Sequence, residues 1–468
     1  MRDRLDQLAS RLGRVATFAA LARRPAQAAV AIAAFATWLV CTVSSVRAMG
    51  SDTLAGTLGG VVHHCGGGYD LGNVDWIAAA ARRGHPPYFA QPDRDGHLLS
   101  PYGPLPNLIG SAAMLDLEPG DVVGLDALRH RVRLLSSLLV AACAGLLAWA
   151  ARPGERPWRA VATGLVAAAS FAGAATLGQA LWQQTISLVP LVAGFALIVR
   201  RDDHPRWAAL SPGLVLAAAM IRPAIGPLAL GLGIWWALGT RRRWALWAAA
   251  TAFAIVLVLP LVVWNVQHQG SVLPLGQWRS NTSNTTLGVF RFTWGQLSEG
   301  VAGLLVSPAR GLAWFAPLAI AGVVRAVRGA ATRVLGVALI AQFLTMAVFY
   351  MWWGGFCFGP RFLSELAWLA TWAALATPVA SRPWRLAIAA CAAVTVNVGL
   401  LGLWRQPMQW EAMRNVDVDH AALWRLADSV LPALITDRYG DVVLSEGPRG
   451  DYRVCVGTRL ELIADEPR

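Results

Sequence analysis

Apolar residues run in long blocks along this chain, near 26–46, 134–151, 160–178, 182–199, 208–221, 224–239, 244–264, 311–324, 334–350, 362–379 and 386–404. Most of the blocks approach the ~20 residues a helix needs to cross hydrocarbon. The pattern therefore predicts an all-α polytopic membrane protein of about eleven transmembrane helices. The connectors between blocks carry the charge. Arg152/Arg156/Arg159, Arg200/Arg201/Arg206, Arg241/Arg242/Arg243, Arg325/Arg328/Arg333 and Arg382/Arg385 occupy every second loop. With a cytoplasmic N-terminus all five fall inside, as the arginine bias of cytoplasmic loops requires. One cluster breaks the pattern, since Arg129, Arg131 and Arg133 precede the second span and would lie outside. Residues 103–116 are too short a stretch to cross easily and read as an interfacial or re-entrant helix.

The first 24 residues place Leu5, Leu8, Leu12 and Val15 at helical spacing among Arg and Asp. That predicts a cytoplasmic amphipathic helix on the membrane surface, either a partner contact or a flank that sets topology. The block from Ala26 to Val46 is too long for a signal-peptide core and reads as an uncleaved first span. The membrane domain then covers 25–404. Its outer pieces are a large first loop (47–133) with interfacial helices, a loop at 267–308, a short one at 350–361, and the tail. The tail, 405–468, combines a helix-like stretch at 420–436 with β-like runs at 441–445 and 452–463, which predicts a small C-terminal α+β outer domain. No repeat of 20–50 residues is visible, which argues against an inverted-repeat transporter.

Composition narrows the class. The chain is 56% hydrophobic and 14% charged, where a soluble domain carries about 25% charged residues. A soluble enzyme, a disordered tail and a collagen-like fibre are excluded. The balance of 40 basic and 27 acidic residues gives +13, and every basic one is arginine. Because this excess sits in the connectors, no nucleic-acid partner is expected. Six cysteines form no C-x-x-C pair. Cys41, Cys143 and Cys391 lie in apolar runs as packing residues. Cys65, Cys357 and Cys455 fall outside, where an oxidising compartment would join two of them; the pair stays open.

Candidate chemistry concentrates in the outer segments. Asp52 follows the first span at headgroup level, where a carboxylate either faces water at a helix end or accepts a proton from a hydroxyl attacking a lipid-borne phosphate ester. Asp70 and Asp75 are further acids of this loop, whereas Asp93 and Asp95 sit in the turn PDRDG. His63, His64 and Cys65, with His85 and His97, lack a recognised metal-ligand spacing, so neither metal nor cofactor is expected. Arg222, in MIRPAIGP, is an intramembrane arginine that contacts an anion in a cavity or snorkels to the outer interface. SPARG and FGPRFLSEL place Arg310 and Arg361 at the outer face beside Gly and Pro, and the arginine fork suits phosphate oxygens. Glu365, one helical turn after Arg361, is spaced to pair with it. Trp352, Trp353 and Phe356 suit an interfacial belt or a stacking surface for a sugar or prenyl chain. The polar loop 272–293 includes Asn281 and Asn284 in N-x-S/T patterns.

With these residues in view, the chain resembles the bacterial GT-C superfamily of integral-membrane glycosyltransferases, and within it the polyprenyl-phosphate-sugar-dependent group that includes protein mannosyltransferase-like and aminoarabinose transferase-like proteins. The matching features are Asp52 in GSDT after the first span and the helix start in SPYGPLPNLIGSAAML, which contains Tyr102. Arg131 or Arg133 matches the arginine that opens the second span. SPARGLAWFAPL and WWGGFCFGPRFLSE also resemble segments of that group. Better-known relatives carry a second acid in the next outer loop; LGQALWQQT here offers Gln179, Gln183 and Gln184 instead. The resemblance implies transfer of a hexosyl or pentosyl group from a polyprenyl-phosphate carrier to a glycan, lipid or protein acceptor. The location implied is the outer, periplasmic face of a bacterial inner membrane. Asp52 would be the general base, and Arg310, Arg361 and Arg222 would stabilise the departing phosphate. Glu365, Asp75 and Tyr102 would complete the substrate site. The alternatives are a transporter or flippase for a lipid-linked or anionic substrate, and a noncatalytic envelope-assembly factor.

Overall fold

The computed structural model describes residues 25–43, 51–152, 156–241, 243–274, 294–355, 357–377, 379, 381–405, 419–436 and 450–465, with Ser51, Asp52, Ala433, Thr436, Ala464 and Asp465 described by their backbone alone. The amphipathic N-terminal segment, loop 275–293 with Asn281 and Asn284, Phe356 and the run 441–445 fall outside these residues.

The chain is mainly helical. The helices are α1 (Pro25–Val43), α2 (Ser51–His64), α3 (Asp75–Arg82), α4 (Leu105–Ser111), α5 (Leu125–Ala150), α6 (Pro157–Ala169), α7 (Gln183–Val199) and α8 (Ser211–Ile221). They continue with α9 (Gly226–Thr240), α10 (Trp244–Gln269), α11 (Leu297–Val306), α12 (Leu312–Phe315), α13 (Pro317–Arg328), α14 (Arg333–Ala347), α15 (Ser364–Leu375), α16 (Arg382–Trp404) and α17 (Val430–Thr436). Five segments are long and apolar enough to cross a membrane: α1, α5, Pro223–Thr240, α10 and α16. The chain is thus a helical protein with candidate membrane spans and a small sheet.

Two expected single spans are interrupted. The block 160–178 is helical only to Ala169; beyond it, Phe171 to Trp182 follows turns through the interior. Non-helical backbone is tolerated inside a helix bundle where protein surrounds it. Here Gly399 of α16 presses so closely on Ala169 that a Cβ would lie 1.9 Å from its carbonyl oxygen. The block 311–324 breaks at Ala316 into α12 and α13, because Pro317 forces the preceding residue out of helical conformation. At 12 residues α15 is about 18 Å long, short of the ~30 Å hydrocarbon core. Ser364 to Ala374 of α15 are all buried. A helix apolar all round belongs at the centre of a bundle, and α15 is the axis on which the site is built.

At one end of the bundle sits a cap made from the first loop and the tail. Helices α2 and α4 cross through glycine. A Cβ on Gly110 would stand 2.3 Å from Gly56 O, and one on Gly60 would stand 2.6 Å from the Gly110 carbonyl carbon, so no larger residue fits there. At seven residues α4 is too short to cross. The tail was expected as a separate appendage, yet its strands are built onto the first loop. β3 (Val122–Gly124) pairs antiparallel with β4 (Gly450–Val456), and β4 with β5 (Arg459–Asp465). A disulfide joins Cys65, just after α2, to Cys455 of β4, with Cα atoms 5.0 Å apart. Cys357 instead directs its buried thiol toward Gly359 O, at 3.4 Å.

A second clasp fixes the cap to the bundle. The hairpin β1 (Gln91–Pro92) to β2 (Leu98–Leu99) turns around Asp93, whose Oδ1 accepts from the backbone N–H of Asp95 and His97, both at 2.9 Å. Its Oδ2 lies 3.0 Å from Nδ1 of His268 at the end of α10. Burial pushes the Asp93 carboxyl up, but the hydrogen bonds from His268, His97 and Asp95 outweigh it and hold the group below the usual carboxylate range.

The three arginines that broke the charge pattern all have cap-end partners. Arg129 pairs with Asp126 at 3.5 Å, and Arg131 pairs with Asp116. Buried Arg133 donates to Cys41 O and Thr42 O, at 3.1 and 3.2 Å, which occupies carbonyls left open at the end of α1.

Candidate functional site

Helix α8 ends at Ile221 because Pro223 drives Arg222 into an extended conformation, φ −134° and ψ 91°. The turn points the Arg222 side chain into the bundle, where it is 2% exposed. It forms an ion pair with Glu365, the second residue of α15 and itself 1% exposed. Ser187 Oγ on α7 donates to the other carboxylate oxygen at 3.1 Å. A buried charge without a partner costs several kcal/mol; here each charge supplies the other's partner and Ser187 occupies a remaining lone pair.

This corrects the pairing expected of Glu365. Arg361 lies in a tight 3-10 turn before α15 begins, so the four-residue helical spacing does not apply. Its guanidinium lies over the Trp182 ring, 4.6 Å from the centroid, and Nη2 donates to Gly354 O at 2.8 Å. Arg222 and Arg361 share Phe362, with guanidinium carbons 5.8 and 5.4 Å from its ring centroid. Arg222, Arg361 and Glu365 thus occupy one neighbourhood, walled by Trp182 and Phe362.

Arg310 belongs to the adjoining turn. It is fully buried and donates to Trp353 O at 2.6 Å, Ala309 O at 2.9 Å and Gly355 O at 3.0 Å. Gly354 and Gly355 have φ of +82° and +63°, a region that favours glycine. Arg310 and Arg361 grip successive carbonyls of this turn, so WWGG and the two distant arginines form one unit. Arg310 acts on backbone oxygens in this arrangement.

Two glutamines of LGQALWQQT are also engaged. Gln179 Nε2 donates to Ala174 O and Gln183 Nε2 to Ile221 O, each at 2.6 Å. Gln183 thereby caps the last turn of α8 beside Arg222. It also lines, with Tyr102, Met220, Ile221 and Asn265, a cleft of about 10 Å³, room for roughly one water. Tyr102 therefore stands on the cap side of the ion-pair cluster.

The side chain of Asp52 falls outside the described residues. Its backbone opens α2, one turn before Gly56, and a Cβ on Gly56 would lie 3.5 Å from Leu181, the neighbour of Trp182. Asp75 opens α3 within the cap, beside the Val74–Leu460 bridge, and joins none of these contacts. Asp70 accepts from Gly72 N and Leu98 N. His63 and His64 each place a ring nitrogen against a backbone carbonyl.

Sequence reading missed Ser187, Trp182 and Phe362 as members of this cluster, and singled out Gln183 without placing it beside Arg222. The one available signal was that all sit within a turn or so of a helix start next to a polar break. No protein-family model, curated protein or solved structure matches the chain.

Proposed function

We propose that the chain is a GT-C-type membrane glycosyltransferase with about eleven spans that uses a polyprenyl-phosphate-linked sugar at the outer face of a bacterial inner membrane. One observation carries this reading. Arg222 meets Glu365 and Arg361, more than a hundred residues away in the chain, beside Trp182 at the cap end of the bundle, with the Asp52 helix against the adjacent Leu181. The Cys65–Cys455 disulfide supports a cap on the oxidising side. The arginine-rich connectors at the other ends of the helices support a cytoplasmic position there.

In this mechanism Asp52 accepts the proton of the acceptor hydroxyl. The acceptor oxygen bonds to the anomeric carbon as the bond from that carbon to the phosphate oxygen breaks, and polyprenyl phosphate departs with the electron pair. Arg361 faces the phosphate with its charge backed by the Trp182 ring. Glu365 holds Arg222 in place and moderates its charge, while Arg310 keeps the Gly354–Gly355 turn under Arg361. Tyr102 and Gln183 line the approach from the cap, and Asp75 lies on the acceptor side.

A buried intramembrane ion pair also suits a transporter, so the test separates the two. Proteoliposomes holding the purified chain are given undecaprenyl-phosphate hexoses and pentoses, with and without a glycan or lipid A acceptor. Undecaprenyl phosphate released only when acceptor is present supports transfer. Sugar-lipid crossing the bilayer without any acceptor, and no release, overturns it.

A further inference from the structure

The end of the bundle away from the cap carries a second built surface. The first turns of α6 and α16 and the last turn of α13 meet there, bringing Arg156, Arg159, Arg325, Arg328, Arg382 and Arg385 to one face. Arg159 is within electrostatic reach of Arg156, Arg385 and Arg325. Two of the guanidinium groups lie over tryptophan rings, Arg159 over Trp158 at 5.3 Å and Arg328 over Trp384 at 5.7 Å. Among the described residues, no carboxylate forms an ion pair with Arg156, Arg159, Arg328, Arg382 or Arg385. Like charges gathered at one face repel one another and are relieved when an anion joins them. The starts of α6 and α16 add the positive ends of two helix dipoles to the same face.

The surroundings identify the anion. Trp158 and Leu386 are 66% and 62% exposed, and α16 runs on from the patch as a helix long and apolar enough to cross a membrane. Val394 and Leu401 stay exposed further along it. Arginine heads, tryptophan rings and then an open apolar face, in that order, match a headgroup, the interfacial layer and hydrocarbon. We propose that this face binds the phosphate headgroup of an anionic phospholipid, whose acyl chains lie along α16. Basic pockets between helix ends at the cytoplasmic surface hold such headgroups.

The test uses the full chain in zwitterionic detergent, titrated with fluorescent phosphatidylglycerol or phosphatidylcholine. Arg156 and Arg385 are exposed, so the double variant Arg156→Gln/Arg385→Gln leaves the fold intact, which an unchanged melting temperature checks. The proposal expects binding of phosphatidylglycerol but not phosphatidylcholine, and about 30-fold weaker binding in the double variant. Arg241→Gln/Arg243→Gln removes the same charge from a neighbouring connector and should change binding less than twofold. Equal losses in the two variants, equal binding of both lipids, or displacement by millimolar inorganic phosphate would each overturn it.

Discussion

At the scale of single residues, the buried cluster is centred on the Arg222–Glu365 ion pair. They lie 143 positions apart, and no local spacing could have matched them. What was legible was the anomaly of each: an arginine at hydrocarbon depth before a proline, and a glutamate in an apolar run. Arg361, the nearer partner by sequence, was expected because helical spacing was extended one turn too far toward Pro360. Removing one member of a buried pair strands the other, at a cost of about 3–5 kcal/mol. Glu365→Gln should therefore lower stability by about that amount in a detergent unfolding assay. Combining it with Arg222→Met should recover much of the loss. If Glu365→Gln alone left stability unchanged, the pair would not be buried as described.

Among the elements, unbroken helices were the easiest to read. Expected blocks 244–264 and 386–404 correspond to α10 and α16, because twenty apolar residues without Pro-Gly clusters have one stable form in hydrocarbon. The breaks were harder. SFAGAATLGQ is as apolar as a span, and its turns follow from what packs around it, which hydropathy does not record. The Asp93 turn was recognisable from PDRDG, but its reach to His268 was not, since the partner lies on a different helix. That clasp carries a pH signature. The folded-state carboxyl titrates below its usual value of 3.8, so its contribution is present above pH ~4 and is lost as pH falls through the lower folded value. Melting curves between pH 3 and 6 should show wild type losing stability below pH ~4. Asp93→Asn should be less stable at pH 6, with a flatter acid limb. Identical acid limbs would remove Asp93 as the clasp.

For the molecule as a whole, hydropathy revealed long apolar segments, five of which form helices long and apolar enough to cross a membrane, and a first loop dense in polar residues. It did not reveal that the tail completes the cap. The three-residue β3, directly after a Gly-Asp turn, has no partner nearby in sequence, and three candidate cysteines allowed three pairings. The fold selects Cys65 with Cys455, which ties the last strand hairpin to the helix that Asp52 opens. Non-reducing peptide mapping should find that linked pair and an unmodified Cys357. Reductant should destabilise the cap by about 2–4 kcal/mol; a Cys357-containing disulfide would contradict this arrangement of the tail.

The most direct measurement is sugar transfer by the purified chain with Asp52→Asn beside wild type, under matched expression, melting temperature and donor binding. Loss of transfer by about two orders of magnitude or more, with donor affinity retained, is what a general base beside the Arg222–Glu365–Arg361 cluster predicts. Turnover by Asp52→Asn equal to wild type would contradict it and leave the cluster a structural feature of the bundle.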